Sequence, residues 1–319
     1  MSEFISVFAP KIDAMLDYRE ARGFKRESYI RHFIKFDKYC HERFCEVPYL
    51  TSELVQGWLE SEAPHNISAK ATAIRQFGKY LCAISEDAYI LPEKFAPYIS
   101  PKAPYIFTDD EMTALFSSID KLKGTRNEPH LSEIAPVLFR LTYTCGLRPN
   151  ESRQLLYENV NFSNGEILIV NTKRKKERIV VMSEDMLSLC REYDLRRSIF
   201  GGTSPYLFPS VNGGALTNNT LSVAFNKAWK EAGRTCGILL PKNVKVYSLR
   251  HRFASARLNL WLDEGENLMA LLPYLRSYMG HKTMDETAYY IHILPENLVK
   301  SAAIDWSIFN AMFPEVAEL

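Results

Sequence analysis

Four prolines, Pro92, Pro97, Pro101 and Pro104, fall between Glu86 and Thr108 of this 319-residue chain. Proline removes a backbone donor and pushes the residue before it out of the helical region. No long helix can run through that stretch. It therefore reads as a linker, 86–107, with room for one short helix. It divides the chain into a first domain, 1–85, and a second, 108–319. Two domains are also what the length favours.

The first domain reads as four helices. Tyr29, Phe33, Phe36 and Cys40 recur at helical spacing, with Arg31, Lys35 and Lys38 on other faces. Leu54, Val55, Trp58 and Leu59 form a second stripe after the capping pair Thr51-Ser52. Ile67, Ala71, Ile74, Phe77, Leu81 and Ile84 form a third, with Lys70, Arg75 and Lys79 placed opposite it. An opening helix is expected over Ile5 to Tyr18.

The second domain opens on Thr108-Asp109-Asp110-Glu111, a capping-box pattern. Helices are expected over Glu111 to Ser118, Leu131 to Thr144, from Pro149 onward, Leu216 to Ala232, and Ser248 to Leu260 with Ser248 as its cap. A short one from Pro273 to Met279 is stopped by Gly280. Glu166 to Asn171 and Arg178 to Met182 are rich in Ile and Val and flank a basic turn, so they predict a β-hairpin. The fold class expected is mainly α with one small hairpin: a helical domain and an α+β domain.

Bulk composition says little about partners. The formal charge is +1 and charged residues make up 24%. Basic residues are nevertheless clustered. Lys173 to Arg178 holds five against one acid, and Lys227 to Arg252 holds a second strip that includes Lys242, Lys245 and Arg252. Each strip is either a solvated face or a phosphate-binding one. The six cysteines show no CxxC pair and no zinc spacing. No apolar run approaches the ~18 residues a membrane span needs, and the N-terminus has no secretory pattern. A cytoplasmic, nucleoid-associated protein is expected.

Five polar residues sit in distinctive contexts: Gly146-Leu147-Arg148, Thr172-Lys173, Ser248-Leu249-Arg250-His251, Met279-Gly280-His281 and Tyr289-Tyr290. Arginine forks can bind a phosphodiester and the extra charge of a five-coordinate phosphorus. Lysine can protonate a leaving oxygen and tyrosine can attack phosphorus. No Walker-type loop is present.

In order and spacing these contexts resemble the tyrosine recombinase (phage-type integrase, Xer-like) family, over roughly Pro104 to Ile293. The resemblance implies a two-domain clamp on duplex DNA that cuts and rejoins strands through a 3′-phosphotyrosine, with no cofactor and no metal. By the family pattern Gly-Leu-Arg-x-x-Glu, Arg148 is the first arginine and Glu151 orients it. Lys173, with Lys175 and Lys176 as rivals, is the hairpin lysine that protonates the departing 5′ oxygen.

Tyr247-Ser248-Leu249-Arg250-His251-Arg252-Phe253-Ala254 is similar to the family box His-x-Leu-Arg-His-x-Phe-Ala. Arg250 is its arginine, with Arg252 as the alternative, and His251 is assigned to packing. Tyr247 stands where the family has the histidine usually assigned as base. Its hydroxyl can donate a hydrogen bond but is a poor base, with an ordinary pKa near 10. His281 matches Leu-Gly-His. Tyr290, nine residues on, is the nucleophile, with Tyr289 as rival.

The resemblance also implies DNA contacts by Lys70, Arg75, Lys79, Arg174, Lys175, Lys176, Lys242, Lys245 and Arg252, and a tetramer on two DNA sites. The apolar tail Trp306, Phe309, Met312 and Phe313 docks either on a neighbouring protomer or on its own domain. The leading expectation is a mobile-element integrase. The alternatives are an Xer-like resolvase, a type IB topoisomerase-like enzyme and a catalytically decayed DNA-binding protein.

Overall fold

The computed structural model describes residues 4–45, 47–61, 67–95, 104–170, 177–237, 241 and 244–290, apart from the side chains of Lys94 and Cys236. The chain forms two compact units, Met1–Pro101 and Lys102–Leu319.

The first unit contains α1 (Ala9–Ala21), α2 (Glu27–Arg43), α3 (Ser52–Glu60) and α4 (Ile67–Ala83). Thr51 caps α3 by accepting from the Leu54 N–H at 3.2 Å. Phe8, Phe33, Phe36, Trp58 and Phe77 meet edge-on or tilted at 5.1–6.2 Å between ring centroids. Such pairs add about 0.5–1.5 kcal/mol each beyond the area they bury. Asp37 of α2 is buried, and its carboxylate accepts from the Ile5 and Ser6 amides at 2.7 and 3.0 Å. That bond set ties the N-terminal segment to the bundle.

The packed part of this unit runs beyond Ser85. Leu50 bridges to Ala88, Leu91 is buried, and Arg75 donates to the carbonyls of Leu91 and Pro92 at 2.8 and 2.7 Å. A short 3-10 turn, Glu93–Phe95, follows.

The second unit contains α5 (Asp109–Asp120), α6 (Leu131–Thr144), α7 (Pro149–Arg153), β1 (Glu166–Ile169), β2 (Arg178–Val181), α8 (Glu184–Phe200), α9 (Asn218–Cys236), α10 (Tyr247–Asp263), α11 (Leu268–Met279) and α12 (Asp285–Ala288). The Thr108 capping box forms in full. The strands pair antiparallel with Ile167 opposite Val180 and Ile169 opposite Arg178. α5 packs on α9, α6 on α8 and α10, and α11 on β2.

Three local expectations are corrected. Ser248 does not cap α10, which starts one residue earlier at Tyr247 with no side-chain cap. α11 does not start at Pro273. Asn267 caps it by accepting from the Met269 and Ala270 amides, and Pro273 lies inside it. α8 was not anticipated. Its buried residues are only Met186, Cys190, Tyr193 and Arg197, one of them charged, so no apolar stripe announces it. Arg197 is satisfied there by the carbonyls of Leu207, Ser204 and Tyr206. Among the described residues no helix is long and apolar enough to cross a membrane.

Candidate active site

The site is built around the C-terminal end of α11. Gly280 ends that helix in the left-handed conformation, φ 66°, and leaves its last carbonyls without intrahelical partners. Three consecutive carbonyls each receive an arginine. Arg178 Nε donates to Tyr278 O at 2.7 Å, an Arg250 terminal nitrogen to Met279 O at 2.6 Å, and an Arg148 terminal nitrogen to Gly280 O at 2.8 Å. The negative end of a helix dipole favours cations there.

Arg250 is fully buried in the first turn of α10. It also donates to Gly146 O at 2.5 Å and to His281 Nε2 at 3.0 Å. Gly146 stands at φ 59°, and a Cβ there would overlap the Phe253 ring, so only glycine fits the turn that aims this carbonyl. Burial pulls the Arg250 pKa down, but a guanidinium stays charged. Its Nε–H has no acceptor among the described residues.

Glu151 sets the other two arginines. Its carboxylate accepts from the Arg148 amide at 2.9 Å and from the Arg148 guanidinium at 2.7 Å. Arg178 meets the same carboxylate with two parallel bonds at 3.0 and 2.7 Å. Burial opposes ionisation of Glu151, but Arg178 and then Arg148 outweigh it and hold the pKa at about 2. Arginine has no acceptor to complete a capping box at the start of α7, so Glu151 supplies only the half that reaches back.

An arginine can only donate, so His281 Nε2 accepts and its Nδ1–H donates to Thr287 Oγ1 at 2.8 Å. Burial, then Arg250, Arg148, Arg178 and His251, push its pKa down to about 3, so the ring is neutral. Three guanidiniums, one carboxylate and neutral imidazoles leave a net charge of two positive (3 − 1). Fixed positive charge in a dry site is what an anion gaining charge in its transition state requires.

Tyr290 is buried beside this cluster. Its ring lies parallel to His281, 6.0 Å between centroids, and its hydroxyl is 3.0 Å from His251 Nδ1. Burial raises the hydroxyl pKa, and Arg250, which it faces, partly offsets that. Tyr247 is 36% exposed, its ring edge against His251 at 4.9 Å.

A model of the phage integrase family matches residues 106–297, more than half of the chain. The chain belongs to the phage integrase family. It is a DNA breaking-and-rejoining enzyme of the tyrosine recombinase type. A Sinorhizobium fredii protein named for the integrase/recombinase class (y4rB) is 26% identical over 93% of this chain and 96% of its own length. Tyrosine recombinase XerD of Rickettsia bellii is 26% identical over 94% and 97% respectively. The XerH site-specific recombinase bound to palindromic difH substrate, in a post-cleavage complex, covers 88% of this chain and 80% of its own. Its TM-score is 0.63 at 21% identity, which shows a shared fold.

The recombinase brings Arg148, Glu151, Tyr247, Arg250, His281 and Tyr290 into one cluster. Lys173, Arg174, Lys175, Lys176 and Lys242 lie outside the described residues, as do Trp306, Phe309, Met312 and Phe313. Lys245 is exposed.

The other basic residues singled out for DNA are otherwise engaged. Lys70 is 1% exposed, on the buried face of α4 with Ile74, Phe77 and Leu81, not opposite it. Ala71, Ile74, Phe77 and Leu81 of the expected stripe are buried, and Lys70 lies on the same face beside them. Arg75 binds backbone carbonyls, Lys79 pairs with Glu93 at 3.6 Å, and Arg252 pairs with Asp109.

The sequence reading missed Arg178, His251 and Thr287. Arg178 opens β2 on the inward side of the basic turn, and His251 follows the box arginine. Among the described residues no cluster could hold a metal ion.

Proposed function

We propose that this recombinase acts at specific duplex DNA sites for a mobile element, through a 3′-phosphotyrosine at Tyr290. The gathering of Arg148, Arg250 and His281 beside Tyr290, with net positive charge, supports the reading most. The tyrosyl oxygen bonds to phosphorus, the bond to the 5′ oxygen breaks, and the phosphoryl charge rests against the two arginines. His281 joins them in its other tautomer, with Nε2–H donating to the phosphoryl oxygen and the Thr287 hydroxyl donating to Nδ1, once the phosphate draws Arg250 away from Nε2. Tyr247 donates a hydrogen bond to phosphate. Both units contact DNA, four protomers assemble on two sites, and the C-terminal tail docks on a neighbouring protomer.

Paired copies of the DNA flanking the gene are the substrates to test. Recombination between them, with a covalent adduct, is the expected outcome. Recombination only at chromosome-dimer-type sites would favour the resolvase reading, to which the near full-length XerD relative lends weight. Relaxation of supercoils without strand exchange would favour the topoisomerase reading.

Lys173 is the proposed general acid. Lys173→Ala should slow cleavage of ordinary DNA by roughly 10²–10⁴-fold, the usual span for positioned proton transfer. A duplex with sulfur at the 5′ bridging position should restore the rate, because a thiolate leaves without a proton. No restoration would move the role to Lys175 or Lys176.

A further inference from the structure

We propose that His251 is the general base of this recombinase, taking the proton from the Tyr290 hydroxyl as that oxygen attacks phosphorus. The proposal rests on the reading of Tyr290 as nucleophile given above.

The geometry carries it. A base must lie within hydrogen-bond reach of the proton it removes, and His251 Nδ1 is 3.0 Å from the Tyr290 oxygen. The other candidates are committed elsewhere or chemically unsuited. His281 has Nε2 taken by Arg250 and Nδ1 by Thr287. Tyr247 fills the place of the usual histidine, and an ordinary phenol with a pKa near 10 is protonated at neutral pH. Its ring instead packs against His251. Of the two histidines in the box pattern only the second remains here, one helical turn along α10 from Tyr247.

Arg250 and Tyr247 of α10, His281 beyond α11 and Tyr290 beyond α12 face this imidazole. Burial, then Arg250, hold its pKa at about 4, so it is neutral with an open acceptor. That value makes it a weak base in the free enzyme. A bound phosphodiester places a negative charge against Arg250 and cancels part of the charge that depresses it.

In the step, the Tyr290 O–H bond breaks and its proton goes to Nδ1. The O–P bond forms and the P–O5′ bond breaks. The electron pair leaves on the 5′ oxygen, which takes a proton from Lys173. On resealing, His251 returns its proton to Tyr290.

The test is single-turnover adduct formation on a nicked suicide duplex, for the wild type, His251→Ala and His251→Gln, with Tyr290→Phe as blank. DNA affinity and thermal midpoint report on folding. Both His251 variants are expected to bind as wild type and to cleave about 10²–10⁴-fold more slowly. Glutamine keeps the volume and an acceptor but takes no proton, so it should do no better than alanine. It also carries the test if alanine unfolds the chain. The Gln variant should speed up about tenfold per pH unit between roughly pH 6 and 9, as hydroxide takes over, while the wild type stays flat.

A Gln variant with near wild-type rate, or a variant profile parallel to the wild-type one, would overturn the assignment. A wild type that forms no adduct would instead overturn the recombinase reading itself.

Discussion

Tyr290→Phe is expected to bind a recombination site like the wild type and to form no covalent adduct. The change removes one oxygen. It deletes the hydrogen bond to His251 Nδ1, a loss of about 1 kcal/mol in stability, and leaves the ring stacked beside His281. The arginine cluster does not depend on that oxygen: Arg148, Arg178 and Arg250 are held by carbonyls and by Glu151. DNA affinity should therefore survive while the chemistry stops. Tyr289→Phe is the control. Tyr289 is only half-buried and its ring is tilted 64° from that of Tyr290, so its loss should leave adduct formation intact. The readout is a protein–DNA band that persists under denaturing conditions. An adduct in Tyr290→Phe that maps to Tyr289 would sink the assignment.

Arg250→Lys should be almost as severe. Arginine here spans three acceptors on three segments: Gly146 O before α7, Met279 O at the end of α11, and the ring of His281. An ammonium is a single point with donors around it and cannot reach carbonyls that a planar fork bridges. The charge is retained, so a loss reports on geometry, not on net charge. Cleavage should fall about 10²–10³-fold, the scale for one misplaced donor to a developing oxyanion. The thermal midpoint should fall as well, because two buried carbonyls lose their partner, at about 1–3 kcal/mol each. Measuring cleavage at a temperature well below the midpoint separates the two effects. Near wild-type cleavage by Arg250→Lys would remove this residue from the phosphate site.

The sequence carried the parts of this fold that are local. Thr51 and the Thr108–Glu111 box announce helix starts because their side chains bond amides three residues away. The hairpin strands announce themselves through Ile and Val flanking a turn. α8 stayed hidden because its buried face includes a charged residue, Arg197, whose partners come from a loop after the helix. The same limit applies at the site. Arg148, Arg250, His281 and Tyr290 could be named from motif context. Arg178 could not be told apart from its basic neighbours, because what turns it inward is the Glu151 carboxylate 27 residues away and a carbonyl of α11. His251 was set aside as packing because its contact with Tyr290 joins residues 39 apart. Lys70 shows the opposite error: the stripe beside it is buried as expected, but a lysine was assigned to the solvent on its charge alone.

The end of α11 also bears on how such an enzyme can be switched. Residues 278, 279 and 280 each give a main-chain oxygen to a different guanidinium. The side chains at 278 and 279 act through packing, Met279 fully buried and Tyr278 stacked on Phe253, and so fix where the helix end sits. Arg148, Arg178 and Arg250 come from three separate parts of the chain and share one mechanical handle. A rotation or retreat of α11 would break one bond of each and shift His281, which follows directly in sequence, while Glu151 and Gly146 O keep their hold. Competence to cut then depends on where one helix end sits, not on any single side chain of that helix.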